Sequence, residues 1–180
     1  MINSEELKER IKKTGFSCSL CGRCCTQLSD NSNLVMVNAP EIRRIMEGTG
    51  LSWDKIAEPY PEILDGPNGE KFTFAWCLKR SGDKCHFLDE NSRCTIYEFR
   101  PLICRTYPFM LEGSELLVFD CPGTGAAMSE GEAEGIAEEL IQRALFEQEE
   151  FEKIKEIFGS AGLSGDKMNI IDSEGVKTVG

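Results

Sequence analysis

Four cysteines stand within eight residues, Cys18-Ser-Leu-Cys21-Gly-Arg-Cys24-Cys25, and no other stretch of this 180-residue chain restricts its folding so strongly. Two-residue gaps let successive thiolates turn inward onto one metal centre, a spacing shared by zinc sites and iron–sulfur clusters. Gly22 frees the backbone for a tight loop whose N–H groups can point at anionic sulfur. A zinc site needs only one such pair. Three cysteines at this repeat favour a [4Fe–4S] cube, which presents several irons to one loop. Adjacent side chains generally diverge, so Cys24 and Cys25 are expected to serve two different centres. The bland alternatives are a vicinal disulfide or one buried bystander thiol.

Downstream stand Cys77, Cys85, Cys94, Cys104 and Cys121, the last followed by Pro122 as in ferredoxin-type ligation. Two four-thiolate sites use eight cysteines and leave one of the nine over. Cys77 is the expected spare, because it lies in a strand pattern beside Trp76 where a free thiol behaves as a small hydrophobe. The candidate ligands are therefore Cys18, Cys21, Cys24, Cys25, Cys85, Cys94, Cys104 and Cys121. His86, the only histidine, is an unneeded donor among so many thiols. Arg100 and Arg105 flank Cys104 and either compensate thiolate charge or pair with Asp89 or Glu98. Tyr97 and Tyr107 read as packing residues with a hydrogen-bonded tip.

Nine cysteines are too many to be incidental and too few for a small scaffold held by disulfides alone. The opening MINSEELKERIKK has no apolar run, and no later stretch is apolar enough to span a membrane. A cytoplasmic, reducing location is expected, where cysteine clusters serve metals more often than disulfides. The net charge of −11 argues against nucleic acid as a partner, since phosphate binding relies on Lys and Arg. Between Glu130 and Glu156 ten acids face only Arg143, Lys153 and Lys155, which suits either a solvated helix face or docking onto a basic partner. Phosphate-loop and dinucleotide fingerprints are missing, as is the cysteine spacing of radical S-adenosylmethionine enzymes.

Local patterns predict an α+β fold: an irregular cysteine-rich metal-binding domain of short helices and strands, with a long C-terminal helix. Ser4 to Thr14 reads as a helix capped by Ser4. Leu34 to Val37 reads as a strand, and Asn38-Ala-Pro-Glu41 as a boxed helix start. Ser52 to Ile56 is a short helix, Pro59 to Gly69 a loop, and Lys71 to Leu78 one continuous strand. Glu112-Gly113-Ser114 turns a hairpin between Tyr107 and Asp120. Ser129-Glu-Gly-Glu132 is a capping box opening a helix whose apolar stripe runs from Ile136 to Phe158. One core is expected, divided as a metal-binding domain over 1–125, an acidic helix packed on it over 126–160, and a flexible tail over 161–180 in which only Met168 to Ile171 docks.

The cysteine run, together with Cys85-His-Phe-Leu-Asp89, Cys94-Thr-Ile-Tyr97, Arg100-Pro101 and Cys104-Arg105-x2-Pro108-Phe109, closely resembles the CxxCxxCC family, a zinc- or iron-chelating group. The resemblance covers residues 16 to 122 and departs from the pattern at His86, where proline is expected. It implies a metal centre, with iron–sulfur and zinc both open. The leading expectation is an iron–sulfur protein with two [4Fe–4S] clusters, an electron-carrying or oxidoreductase component that works with a larger, basic-surfaced protein partner. The alternatives are a zinc-bound structural or adaptor module and, through a methyl-transferring relative with a similar cluster, a methyltransferase-like enzyme.

Overall fold

The computed structural model describes residues 3–26 and 34–179. Its α-helices are α1 (Ser4–Thr14), α2 (Ala39–Thr49), α3 (Trp53–Ile56), α4 (Leu102–Thr106) and α5 (Glu130–Ser160). Its strands are β1 (Met36–Val37), β2 (Ala57–Pro59), β3 (Leu64–Asp65), β4 (Lys71–Phe74), β5 (Trp76–Leu78) and β6 (Arg80–Ser81). They continue with β7 (Lys84–Cys85), β8 (Phe109–Glu112), β9 (Glu115–Val118), β10 (Met168–Asp172) and β11 (Gly175–Val179). The fold is α+β with a long helix near its C-terminus, as the patterns predict. Its partition differs from the expected one: two compact units form, one from residues 1–33 and 88–146, the other from 34–87 and 147–180.

In the first unit α1, the β8–β9 hairpin and the start of α5 enclose Leu7, Ile11, Phe109, Leu116, Ala133, Ala137 and Leu140. Leu7 and Ile11 sit one turn apart on α1 and are fully buried, each stabilising by about 1.5–3 kcal/mol. The cap of α1 is Asn3 rather than Ser4; its Oδ1 accepts the Glu5 amide at 2.9 Å. An asparagine caps as well as a serine, so composition alone did not separate the two positions. The box at α5 forms as expected, with the Ser129 amide donating to Glu132 at 2.7 Å and the Glu132 amide to Ser129 Oγ at 3.3 Å. Gly113, at φ 61°, turns the hairpin.

The second unit contains two larger sheets, ordered β1-β5-β2 and β11-β10-β4-β3, and the β6–β7 pair. The run from Lys71 to Leu78 is not one strand. Ala75 adopts φ 61° and divides it between the two sheets, while its amide donates to Ile171 O at 2.9 Å. A left-handed alanine costs about 1–2 kcal/mol, and this tertiary bond helps to hold it. Asn38 and Glu41 box the start of α2 as expected.

The C-terminal segment is also not a flexible tail. β10 pairs in parallel with β4, Met168 facing Lys71, and antiparallel with β11. Asn169 is fully buried; its Oδ1 accepts the Ser164 amide and its Nδ2 donates to Lys71 O and Ser164 O, each at 2.9 Å. A Gly- and Ser-rich composition suggested mobility, but the partner strand lies about a hundred residues away, beyond the reach of local pattern. The stripe of α5 is interrupted, although its last member, Phe158, meets the rings of Phe72 and Phe74 at 5.2 and 5.3 Å. Leu145 and Phe151 are 58% and 62% exposed, while within the second unit Glu150 is buried and accepts from Ser173.

Candidate metal centre

Seven of the nine cysteines belong to the first unit: Cys18, Cys21, Cys24, Cys25, Cys94, Cys104 and Cys121. Four chain segments deliver them. Cys18 to Cys25 leaves α1 through Gly15 and runs beside residues 121 to 126. The Ser17 amide donates to Gly123 O and the Gly125 amide to Gly15 O, both at 3.0 Å, and Phe16 bridges Thr124. This approach is close enough that a Cβ on Gly123 would stand 2.2 Å from Ser17 O, and one on Gly15 2.3 Å from Ala126 O. At the far end of the loop Arg23 pairs with Asp120 at 3.7 Å, next to Cys121.

Cys94 comes from a tight turn. Asp89 Oδ1 accepts the amides of Asn91 and Arg93 at 2.9 and 2.8 Å, Ser92 takes φ 60°, and Leu88 bridges Cys94. Asp89, one of the two acids offered as an alternative partner for the arginines beside Cys104, closes this turn. Gly22, at φ 72°, lies against the same turn, so a Cβ there would meet Ser92 Cβ at 3.1 Å and Leu88 Cδ1 at 3.2 Å. Cys104 sits half-buried in α4, which is held to α5 by the ion pair of Arg105 with Glu139 and by Arg143 donating to Thr106 Oγ1 at 3.1 Å. Arg105 is thus engaged by an acid that proximity in sequence did not suggest.

Local electrostatics link several of these thiols. Cys24 is exposed, and its thiol is lowered to about 7, chiefly by its bond with Cys25 and also by the charge of Arg100, against some desolvation. Burial pushes the Cys94 thiol up, with Cys24 adding to the rise, while the Ile96 amide and Arg100 oppose it. Burial also pushes Cys121 up, as do the neighbouring thiols of Cys21, Cys24 and Cys18; the Gly123 amide opposes them. In both cases the amide two residues beyond the cysteine favours anionic sulfur. Arg100 lies over the Tyr97 ring, 3.4 Å from its centroid, and its Nε donates to Tyr97 O at 2.8 Å. Cys18 lines a cavity of about 300 Å³ with Phe16, Met128 and the Gly131–Gly135 face of α5.

The remaining candidates lie in the second unit. Cys77 is fully buried in β5, and burial, with Glu58 nearby, pushes its thiol up to about 11. It suits the role of spare thiol. Cys85 is buried in β7, facing Arg80 of β6. The ring of exposed His86 is within 3.0 Å of Ser81 Oγ.

Adjacent Cys24 and Cys25 do not diverge as expected. Their Sγ atoms are 3.9 Å apart, and no disulfide joins them. Soft thiolates held close together, with amides and a guanidinium favouring their anionic form, fit a thiophilic metal. Among the described residues no group of three or more His, Cys, Asp or Glu side chains is arranged to hold a metal ion, so the fit rests on donor chemistry and on this pair.

The sequence matches the CxxCxxCC family, described as "Putative zinc- or iron-chelating domain", over residues 17–157. The chain belongs to this family. The match extends past the cysteine motifs and takes in most of α5, which the motifs alone had left outside. An uncharacterized protein of Methanocaldococcus jannaschii is 30% identical over 174 residues, covering 87% of this chain and 88% of that one. No solved structure matches. This CxxCxxCC protein is accordingly a metal-binding protein, and among its described residues no helix is long and apolar enough to cross a membrane.

Proposed function

We propose that the first unit holds an iron–sulfur centre on its cysteines and exchanges electrons with a larger protein partner whose surface is basic. The observation that carries this reading is the gathering of seven thiols from four segments into one compact unit. Cys18, Cys21 and Cys24 are exposed there, which leaves a centre near the surface within electron-transfer reach of a partner. Such a centre would be held by the loop Cys18 to Cys25 with Cys121, and with Cys94 and Cys104 as further donors. Iron–sulfur chemistry supplies a one-electron couple. The protein's part is to aim amides at the sulfurs and to place Arg100 where its charge offsets theirs. The acidic surface, part of a net charge of −11, suits a basic partner and speeds encounter with it.

A second reading, a zinc-bound structural or adaptor module, is favoured by the family description, which names zinc beside iron. Anaerobic purification followed by metal and sulfide analysis separates the two. Brown protein containing iron and acid-labile sulfide, bleached reversibly by a reductant, is the expected result. Colourless protein containing zinc would replace the redox reading with the zinc one.

A further inference from the structure

Side chains of neighbouring residues alternate faces in extended chain, and two adjacent cysteines there cannot reach one atom. The run after Gly22 is not extended. Gly22, held at φ 72°, turns the chain into the 3-10 helix Arg23–Cys25, whose three residues per turn reduce the splay between neighbours. The Cys25 amide closes that turn on Gly22 O at 3.0 Å, and the Thr26 amide continues it on Arg23 O at 3.1 Å. Both cysteines therefore point the same way, and their sulfurs lie 3.9 Å apart, in hydrogen-bond contact and with no disulfide between them. Tetrahedral thiolate coordination with metal–sulfur bonds near 2.3 Å sets two sulfurs about 3.8 Å apart.

We infer that Cys24 and Cys25 chelate one and the same metal atom as an adjacent-residue pair. This inference rests on the metal-binding reading above and narrows it. Four cysteines on the four irons of a cube leave one protein thiolate per iron, whereas four on two irons leave two. A pair sharing one atom therefore belongs to a [2Fe–2S] cluster or to a single iron or zinc ion, and not to two separate cubes. Gly22 is what makes the chelate possible. Its conformation starts the turn at a positive φ that strains any L side chain, and a Cβ there would press on Ser92 and Leu88 at 3.1 and 3.2 Å.

The test uses the full chain loaded with a spin-active cadmium isotope in place of its native metal. Correlation spectra should connect the Hβ protons of both Cys24 and Cys25 to one cadmium resonance. Correlation to two resonances, or of only one of the two residues, overturns the inference while leaving metal binding intact. Failure to bind cadmium, with no metal in the protein as purified, overturns the metal reading itself. A second measurement counts metal per chain in anaerobically purified C24S, C25S and the double variant, with C77S as a reference for folding. Equal losses in the two single variants and no greater loss in the double one are expected. A double variant that loses the sum of the two single losses assigns the cysteines to separate centres and overturns the shared one.

Discussion

Single residues set how close the cysteine-bearing segments come, and the decisive ones include glycines. Gly123 lies where a Cβ would stand 2.2 Å from Ser17 O, whereas Gly131 on α5 has nothing within 4 Å. Gly123→Ala should push the Cys18 and Cys121 segments apart, cost about 1–3 kcal/mol and lower the metal bound per chain. Gly131→Ala should keep the metal and gain up to about 1 kcal/mol from helix propensity. Thermal melts and metal counts on the two variants check this pair of outcomes. Thiol chemistry makes a second prediction. In protein stripped of metal, Cys24, exposed and lowered to about 7, should alkylate near neutral pH long before Cys77, buried and pushed up to about 11. Mass spectrometry after a timed pulse of iodoacetamide reads the order directly, and equal rates would mean that the two environments are alike. The cysteine run itself was plain in the sequence. The roles of Gly123 and Asp89 were not, because each depends on the return of a distant segment or on the exact path of a turn.

Elements were legible where local rules decide them, at the boxes of α2 and α5 and at the β8–β9 hairpin. They were hidden where tertiary pairing decides, at Ala75 and at the C-terminal hairpin, since no local signal reports a strand a hundred residues away. Asn169 makes that hairpin testable. Asn169→Ala would remove the side-chain bonds to the Ser164 amide and to Lys71 O, at about 1–3 kcal/mol for each buried group left without a partner. A lower denaturant midpoint, with the metal content retained, is the expected result. The turn joining β10 to β11 carries a pH signature as well. The Glu174 carboxyl is held below its ordinary value, chiefly by its bond with Arg43 and also by Lys177, against some desolvation. A depressed carboxyl stabilises the fold above its unfolded value and loses that contribution as pH falls through the lowered folded one. The thermal midpoint should fall over this acid range, and Arg43→Ala should flatten the fall. The same slope in both proteins would remove the Arg43–Glu174 pair as its cause.

At the scale of the whole molecule, the division into two units sets where metal matters for stability. The second unit has a core of its own in Ile42, Ile45, Ile56, Phe72, Ile170 and Ile171, all buried, and holds neither the Cys18–Cys25 loop nor Cys94, Cys104 and Cys121. In the first unit the apolar residues cluster on α1, the β8–β9 hairpin and α5, whereas the cysteine-bearing stretches 17–26, 88–106 and 120–125 contribute none of the buried residues of that cluster. Bound structural zinc supplies about 10–16 kcal/mol, comparable with the whole stability of a domain, about 5–15 kcal/mol. Stretches that lean on ligand bonds should therefore open when the metal leaves, even if the packed elements beside them hold. Hydrogen exchange with and without a strong chelator should show amides in 17–26, 88–106 and 120–125 losing protection, with α1, β8, β9, β4 and β10 retaining it. Exchange in β6 and β7 then reports on Cys85, the candidate ligand that belongs to the second unit. Protection lost there together with the loop would mark Cys85 as a ligand, and protection kept would mark it as a buried thiol of β7. Uniform loss across both units would show instead that metal holds the entire chain, and that neither core stands without it.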